Sequence, residues 1–154
     1  MKLESTAIPA DTAIELKYAE HGAGGHNVIP DLRWSEVPEG TESFALTIFD
    51  PDAPTGSGWW HWVVIDIPAT LTGIEEGGPL PAGARAWVND YGYVGYGGAC
   101  PPPGPAHRYV HTVYALPTAH LDVADGATSA QVRFAILAQA LDRASFTATF
   151  AQPE

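Results

Sequence analysis

The chain has 154 residues, a formal net charge of -11 and an apolar share of 45%, with 16 glycines, 14 prolines and one cysteine. That length suits one domain over residues 1–154 with a real core, and the charge opposes any partner presenting a phosphate backbone, which excludes nucleic acid. Cys100 cannot close an internal disulfide, and residues 1–20 contain no apolar run of the signal or membrane type. A cytoplasmic location without stable membrane insertion is therefore expected.

The wealth of Gly and Pro predicts a mostly β protein of short strands joined by rigid turns. Weak strands are predicted at Lys2 to Ser5, Ile14 to Tyr18 and Asp31 to Trp34, with Gly22 to Gly25 as a loop. Ser43 to Phe49 and His61 to Ile67 are rich in β-branched and aromatic residues, are bounded by Gly and Pro, and read as strands of one sheet. After a loop at Gly77 to Gly83 comes His107 to Leu116, whose alternation puts His107, Tyr109, His111 and Val113 on one face and Arg108, Val110, Thr112 and Tyr114 on the other. A helix is predicted from Ser129 to Arg143, capped by Thr128 with Gln131 completing a capping box, and followed by a strand at Ser145 to Phe150. Val132, Phe134, Ile136, Leu137, Ala140 and Leu141 supply the helix's apolar side, and Arg143 complements its negative end. No internal repeat or low-complexity linker interrupts the chain, and Pro101 to Pro105 reads as a fixed loop.

Chemistry concentrates in a few places. Asp50 and Asp52 follow an apolar strand within Asp50-Pro51-Asp52-Ala53-Pro54, which reads equally as a turn or as two carboxylates held at a strand end. His61 lies between Trp60 and Trp62, and His107 follows a Gly/Pro loop. Together with Tyr109 these side chains suit an anion site, an acid/base pair or a metal site. Metal ligation lacks a spacing signature such as HExxH, so no metal and no cofactor are expected. A phosphatase-type Asp-x-Asp nucleophile fails because Pro54 stands where Thr or Val is needed and the chain is short for a doubly wound sheet. A Cys100–His107 nucleophile pair has nothing to orient the imidazole. Arg108 points away from His107 on a regular strand and fits a structural salt bridge that holds an aspartate behind the pocket. Trp59 and the aromatics from Tyr91 to Tyr96 suit either a pocket mouth or the patch of a homodimer.

Asp50-Pro-Asp-Ala-Pro54, Trp60-His61-Trp62-Val-Val, Gly95-Tyr-Gly-Gly-Ala-Cys-Pro-Pro102 and His107-Arg108-Tyr109 together resemble the phosphatidylethanolamine-binding protein family, closest to its bacterial, Raf kinase inhibitor-like branch. Ile29-Pro30-Asp-Leu-Arg-Trp34, Val37-Pro-Glu-Gly40 and Ser43-Phe-Ala-Leu46 extend the likeness over nearly the whole chain. The resemblance implies an antiparallel two-sheet β-sandwich with a short C-terminal helix and a small anion pocket at one end. Its lining would be Asp50, Asp52, His61, His107 and Tyr109, with backbone N–H donors from Gly97 and Gly98. Trp60, beside His61, joins the ligand-binding candidates. So does His111, which otherwise reads as a satisfied core histidine and stands where the family usually carries an aromatic residue. Ala99 replaces a proline usual in the family.

The expected function is binding of a small phosphate- or carboxylate-type anion. The alternatives are a metal-independent enzyme using Asp50, His61, His107 and Tyr109 for cyclisation, isomerisation or hydrolysis, and an inhibitor module for a kinase or protease. An anion beside two carboxylates requires either a protonated aspartic acid that donates or a histidinium that offsets the charge.

Overall fold

The runs rich in Val, Ile, Trp and Phe form the centre of the molecule because both of their faces are covered. The computed structural model describes residues 1–153. In chain order the elements are β1 (Lys2–Glu4), β2 (Leu32–Ser35), β3 (Ser43–Asp50), β4 (Trp59–Pro68), β5 (Gly73–Ile74), β6 (Arg85–Ala86), β7 (His107–Leu116), α1 (Ser129–Gln139) and β8 (Asp142–Phe150). A three-stranded sheet runs β1-β2-β5 and a five-stranded sheet runs β6-β4-β3-β7-β8, with every strand pair antiparallel. Leu3, Leu32, Trp34 and Ile74 of the small sheet pack on Leu46, Ile48, Trp62, Val64 and Val113 of the large one. Behind the large sheet, Val132 and Ile136 of α1 cover Ala45, Val63, Ile65 and Leu116. The result is the mostly β, two-sheet sandwich with one helix that the sequence predicts.

Strand β4 is irregular in a way that decides the site. Ile48 faces Trp62 and Phe49 faces Trp60, so His61 is one residue more than β3 has opposite it. This β-bulge resets the alternation. Trp62 and Val64 face the inter-sheet core while Val63 and Ile65 face the helix, so an unbroken strand would turn His61 toward the helix as well. The extra residue lets His61 keep the company of Trp59 and Tyr109 instead.

The turn after β3 is tied to β7 from outside. Asp52 accepts from the Arg108 backbone N–H at 2.8 Å, and its two oxygens accept from Arg108 Nε at 3.0 Å and Nη2 at 2.8 Å. This bidentate geometry holds the Asp52 carboxyl down at about 2, first through the hydrogen bonds from Arg108. Arg108 is thus the structural partner of an aspartate.

Several expectations change. Ile14 to Tyr18 is not a strand: Ala13 makes one bridge to Thr149, and Leu16–Tyr18 is a 3-10 turn. Ile14 and Tyr18 are buried while Leu16 between them is 41% exposed, a spacing that suits a helical turn and not a period of two. Helix α1 has the predicted capping box but stops at Gln139, because the chain turns extended at Ala140 and is drawn into β8. Arg143 therefore pairs with Tyr114 in the sheet, away from the helix end. β8 begins at Asp142, three residues before Ser145, since β7 offers it a partner along nearly its whole length. Nor is the helix's apolar side all buried: Phe134, Leu137 and Leu141 are exposed. His21–Ala23 forms a further 3-10 turn within the segment expected to be a loop. No helix among the described residues is long and apolar enough to cross a membrane.

Two measurements check this account. In urea unfolding, Ile136→Ala loses about 2–5 kcal/mol by leaving a cavity under the helix, whereas Phe134→Ala changes stability by less than about 0.5 kcal/mol. Carboxyl NMR titration finds Asp52 near 2, and Arg108→Ala returns it toward 3.8. Because the folded-state value is the depressed one, the stability Asp52 contributes is complete above its unfolded pKa and is lost as pH falls through about 2. In Arg108→Ala that acid-range dependence disappears.

Candidate functional site

The bulge, the turn after β3 and the start of β7 meet at one end of the sandwich around a cavity of about 180 Å³. Asp50, Ala53, Pro54, Thr55, Trp59, His61, Tyr91, Cys100, Pro101, Pro102, His107 and Tyr109 line it. Pro54, Thr55 and Pro102 are exposed and form its mouth, while Asp50, His61, His107 and Tyr109 are buried. Its walls are indole, phenol and proline rings, so the few polar atoms inside act in a poorly hydrated setting.

Asp50 ends β3 and His107 begins β7. Asp50 Oδ1 accepts from the Asp52 backbone N–H at 2.7 Å, and Oδ2 lies 2.7 Å from His107 Nδ1. His107 thus uses Nδ1 on the carboxylate and has Nε2 for the cavity. The imidazole is held by its partner's geometry, as an acid/base or anion-binding histidine needs to be.

His61 is fixed differently. Its Nδ1 lies 2.8 Å from the Gly97 carbonyl oxygen and 3.1 Å from that of Gly98. Carbonyl oxygens only accept, so Nδ1 carries the hydrogen and Nε2 is left as a lone pair. Burial pushes the His61 pKa down, against the weaker upward pull of the Gly97 carbonyl and the Asp50 charge. The ring makes edge contacts with Tyr91 and Tyr109 at centroid distances of 5.5 and 5.2 Å. Three polar atoms of cavity-lining residues are buried without a protein partner: His61 Nε2, Tyr109 Oη and Trp59 Nε1. Buried polar groups are seldom left without a partner, so these three atoms are open to a bound molecule or to water. The Tyr109 and Tyr91 phenols are pushed well up by burial, Tyr109 also by the Asp50 charge, so both remain protonated.

Several predicted site residues play other parts. Asp52 does not line the cavity, and its ionised carboxylate braces the turn through Arg108, so it is no protonated donor. Trp60 faces the helix side, stacked on Phe49 at 4.2 Å and covered by the Arg133 guanidinium at 4.0 Å. Its neighbour Trp59 takes the place on the cavity wall, because residues 59 and 61 share a face and 60 does not. The N–H groups of Gly97 and Gly98 are not free to bind an anion: they donate to the His61 carbonyl at 2.9 Å and to Asn27 Oδ1 at 2.7 Å. Glycine is needed at 98 for close approach, since a Cβ there would sit 2.2 Å from the Tyr18 carbonyl oxygen. His111 stacks on Phe146 at 4.6 Å, approaches the Tyr109 carbonyl oxygen through Nδ1 at 3.1 Å and is pushed down to about 4 by burial. It belongs to the core, next to a void of about 10 Å³ behind His61 and Tyr109.

Trp59 and Tyr91, which the sequence offered only as aromatics of a pocket mouth or a dimer patch, line the cavity, as do Cys100 and Pro101. The i, i+2 spacing of Trp59 and His61 was the available signal that singles out this indole. Tyr91, whose hydroxyl donates to the Gly98 carbonyl at 2.7 Å, had none beyond its aromatic neighbourhood. The Cys100 thiol is pushed up by burial and then by Glu20, which keeps it protonated and removes the thiolate that a nucleophile pair with His107 would need.

Comparison with known proteins agrees with this fold. The family model described as phosphatidylethanolamine-binding protein matches residues 4–151. Escherichia coli protein YbhB is 43% identical, over 97% of this chain and 99% of its own length, and Escherichia coli YbcL is 46% identical over 86% of this chain and 76% of its own. The crystal structure of YbcL, described as a new member of the mammalian PEBP family, superposes with a TM-score of 0.92 at 42% identity over 97% of both chains. A putative family homologue from Chlamydia trachomatis superposes with a TM-score of 0.86 at 29% identity, over 99% of this chain and 97% of its own. The chain belongs to the phosphatidylethanolamine-binding protein family.

Proposed function

We propose that the protein binds a small oxyanion of the phosphate or carboxylate type in the cavity between the turn after β3, the bulge of β4 and the start of β7. The observation that carries this reading is the set of unpartnered polar atoms, Tyr109 Oη and Trp59 Nε1 among them, on the walls of an otherwise apolar hollow. An indole N–H and a phenol O–H are donors of the kind an oxyanion accepts. His107 adds Nε2, which becomes a third donor when the ring is protonated, with Asp50 at 2.7 Å to balance the charge. The anion thus meets the histidine end of the Asp50–His107 pair. Asp50 itself is engaged by the Asp52 N–H and His107 Nδ1.

The same pair is an acid/base dyad, which favours hydrolysis of a bound ester as the second reading. The two readings differ in whether the ligand is returned intact.

Titration calorimetry with a phosphomonoester checks the first. Tyr109→Phe and Trp59→Phe each weaken binding several-fold, because each removes one buried donor from the anion. Absence of measurable binding to the intact protein contradicts the reading. His107→Ala weakens binding by roughly tenfold or more, the size expected for one lost charge-assisted hydrogen bond, while the thermal unfolding profile stays cooperative. Release of inorganic phosphate that vanishes in His107→Ala establishes hydrolysis in place of simple binding.

A further inference from the structure

The fixed tautomer of His61 sets a requirement on the ligand that the donors alone do not. His61 is 3% exposed, its Nδ1–H is committed to two backbone carbonyls, and its Nε2 has no partner among the described residues. A neutral ring so held presents an acceptor, and an acceptor must be met by a hydrogen. We propose that the cavity selects an anion that brings its own proton, such as the monoanion of a phosphomonoester, whose P–OH donates to His61 Nε2 while its other oxygens accept from Tyr109 Oη and Trp59 Nε1. This rests on the anion-binding reading and narrows the class of anion.

Charging His61 is the competing way to supply a hydrogen. The groups around the ring are Asp50 at the end of β3, Asp90 and Tyr91 after β6, Cys100 on the proline loop, and His107, Tyr109 and His111 on β7. Asp50 and Asp90 favour a charged ring. Burial is the larger influence and opposes it, as does any charge placed on His111. A proton carried in on the ligand meets the lone pair without isolating a cation in the core. A fully deprotonated group would instead set oxygen lone pairs against the nitrogen lone pair, leaving a buried acceptor unsatisfied. Phosphodiesters, which have no P–OH, fall on the disfavoured side with sulfate esters.

Methyl phosphate and methyl sulfate separate these cases at pH 5, below the second phosphomonoester pKa of about 6. Both are then tetrahedral monoanions of nearly the same shape, differing by one hydrogen. Calorimetry on the intact protein is expected to show methyl phosphate binding roughly ten- to hundredfold more tightly, the range set by one buried acceptor left unmet. Equal affinity for the two esters, or tighter binding of methyl sulfate, overturns the proton requirement and leaves anion binding standing. Failure of both to bind overturns the requirement together with the reading beneath it. Methyl phosphate affinity that drops as pH rises through the ligand's own second pKa, with methyl sulfate weak throughout, is the supporting pattern.

Discussion

The site depends on one surplus residue. Without the bulge at His61, the imidazole would turn toward α1, and the Gly97 carbonyl would lose the Nδ1–H it now accepts, while that of Gly98 would keep only the Tyr91 hydroxyl. A bulge in the middle of a sheet disrupts the ladder locally, so something must hold it. Here the Gly97 N–H donates back to the His61 carbonyl, so the ring and the backbone of one residue are gripped by the same loop. The loop in turn is fastened by Asn27, whose side chain accepts from the Gly98 N–H and donates to the Tyr96 carbonyl. The geometry of the cavity at one end of the sandwich is therefore set by backbone pairing more than by side-chain packing.

Much of the architecture was legible because the central strands are strongly apolar. β3 and β4 are continuous β-branched and aromatic runs because both of their faces are covered, and β7 adds an alternation of residue types, so all three read clearly. The phase of β7 also placed His107 and Tyr109 together on the inward face, and the capping box at Thr128 located the start of α1. What escaped the sequence were events that break a period. Nothing in Trp59-Trp60-His61-Trp62 announces an inserted residue, so alternation counted back from Val63 and Ile65 puts His61 on the wrong side of the sheet. The end of α1 is decided by β7, a distant partner that draws Asp142 and Arg143 into the sheet against a local pattern compatible with more helix. Gly97 and Gly98 show the same limit from another side. Their residue type marks tight backbone, yet whether the tightness serves a ligand or the Tyr18 carbonyl depends on a contact with a segment nearly eighty residues earlier in the chain.

The two aspartates after β3 illustrate how one short motif divides its labour. Asp50 is buried and coupled to His107, whereas Asp52 lies nearer the surface and is held ionised by a guanidinium on the far side of β7. Separated by a single proline, they face opposite sides of the strand they reach, one toward chemistry and one toward mechanical support. Arg108 and His107 divide in the same way because adjacent strand residues point apart.

Anchoring the turn from outside has a practical corollary for redesign. Pro54 and Thr55 form part of the cavity's mouth, with Ala53 just inside it, on a segment secured at Asp52, and none of the three belongs to either apolar cluster of the core. Libraries confined to these positions can reshape the entrance for bulkier guests while the packing that keeps the sandwich folded stays untouched.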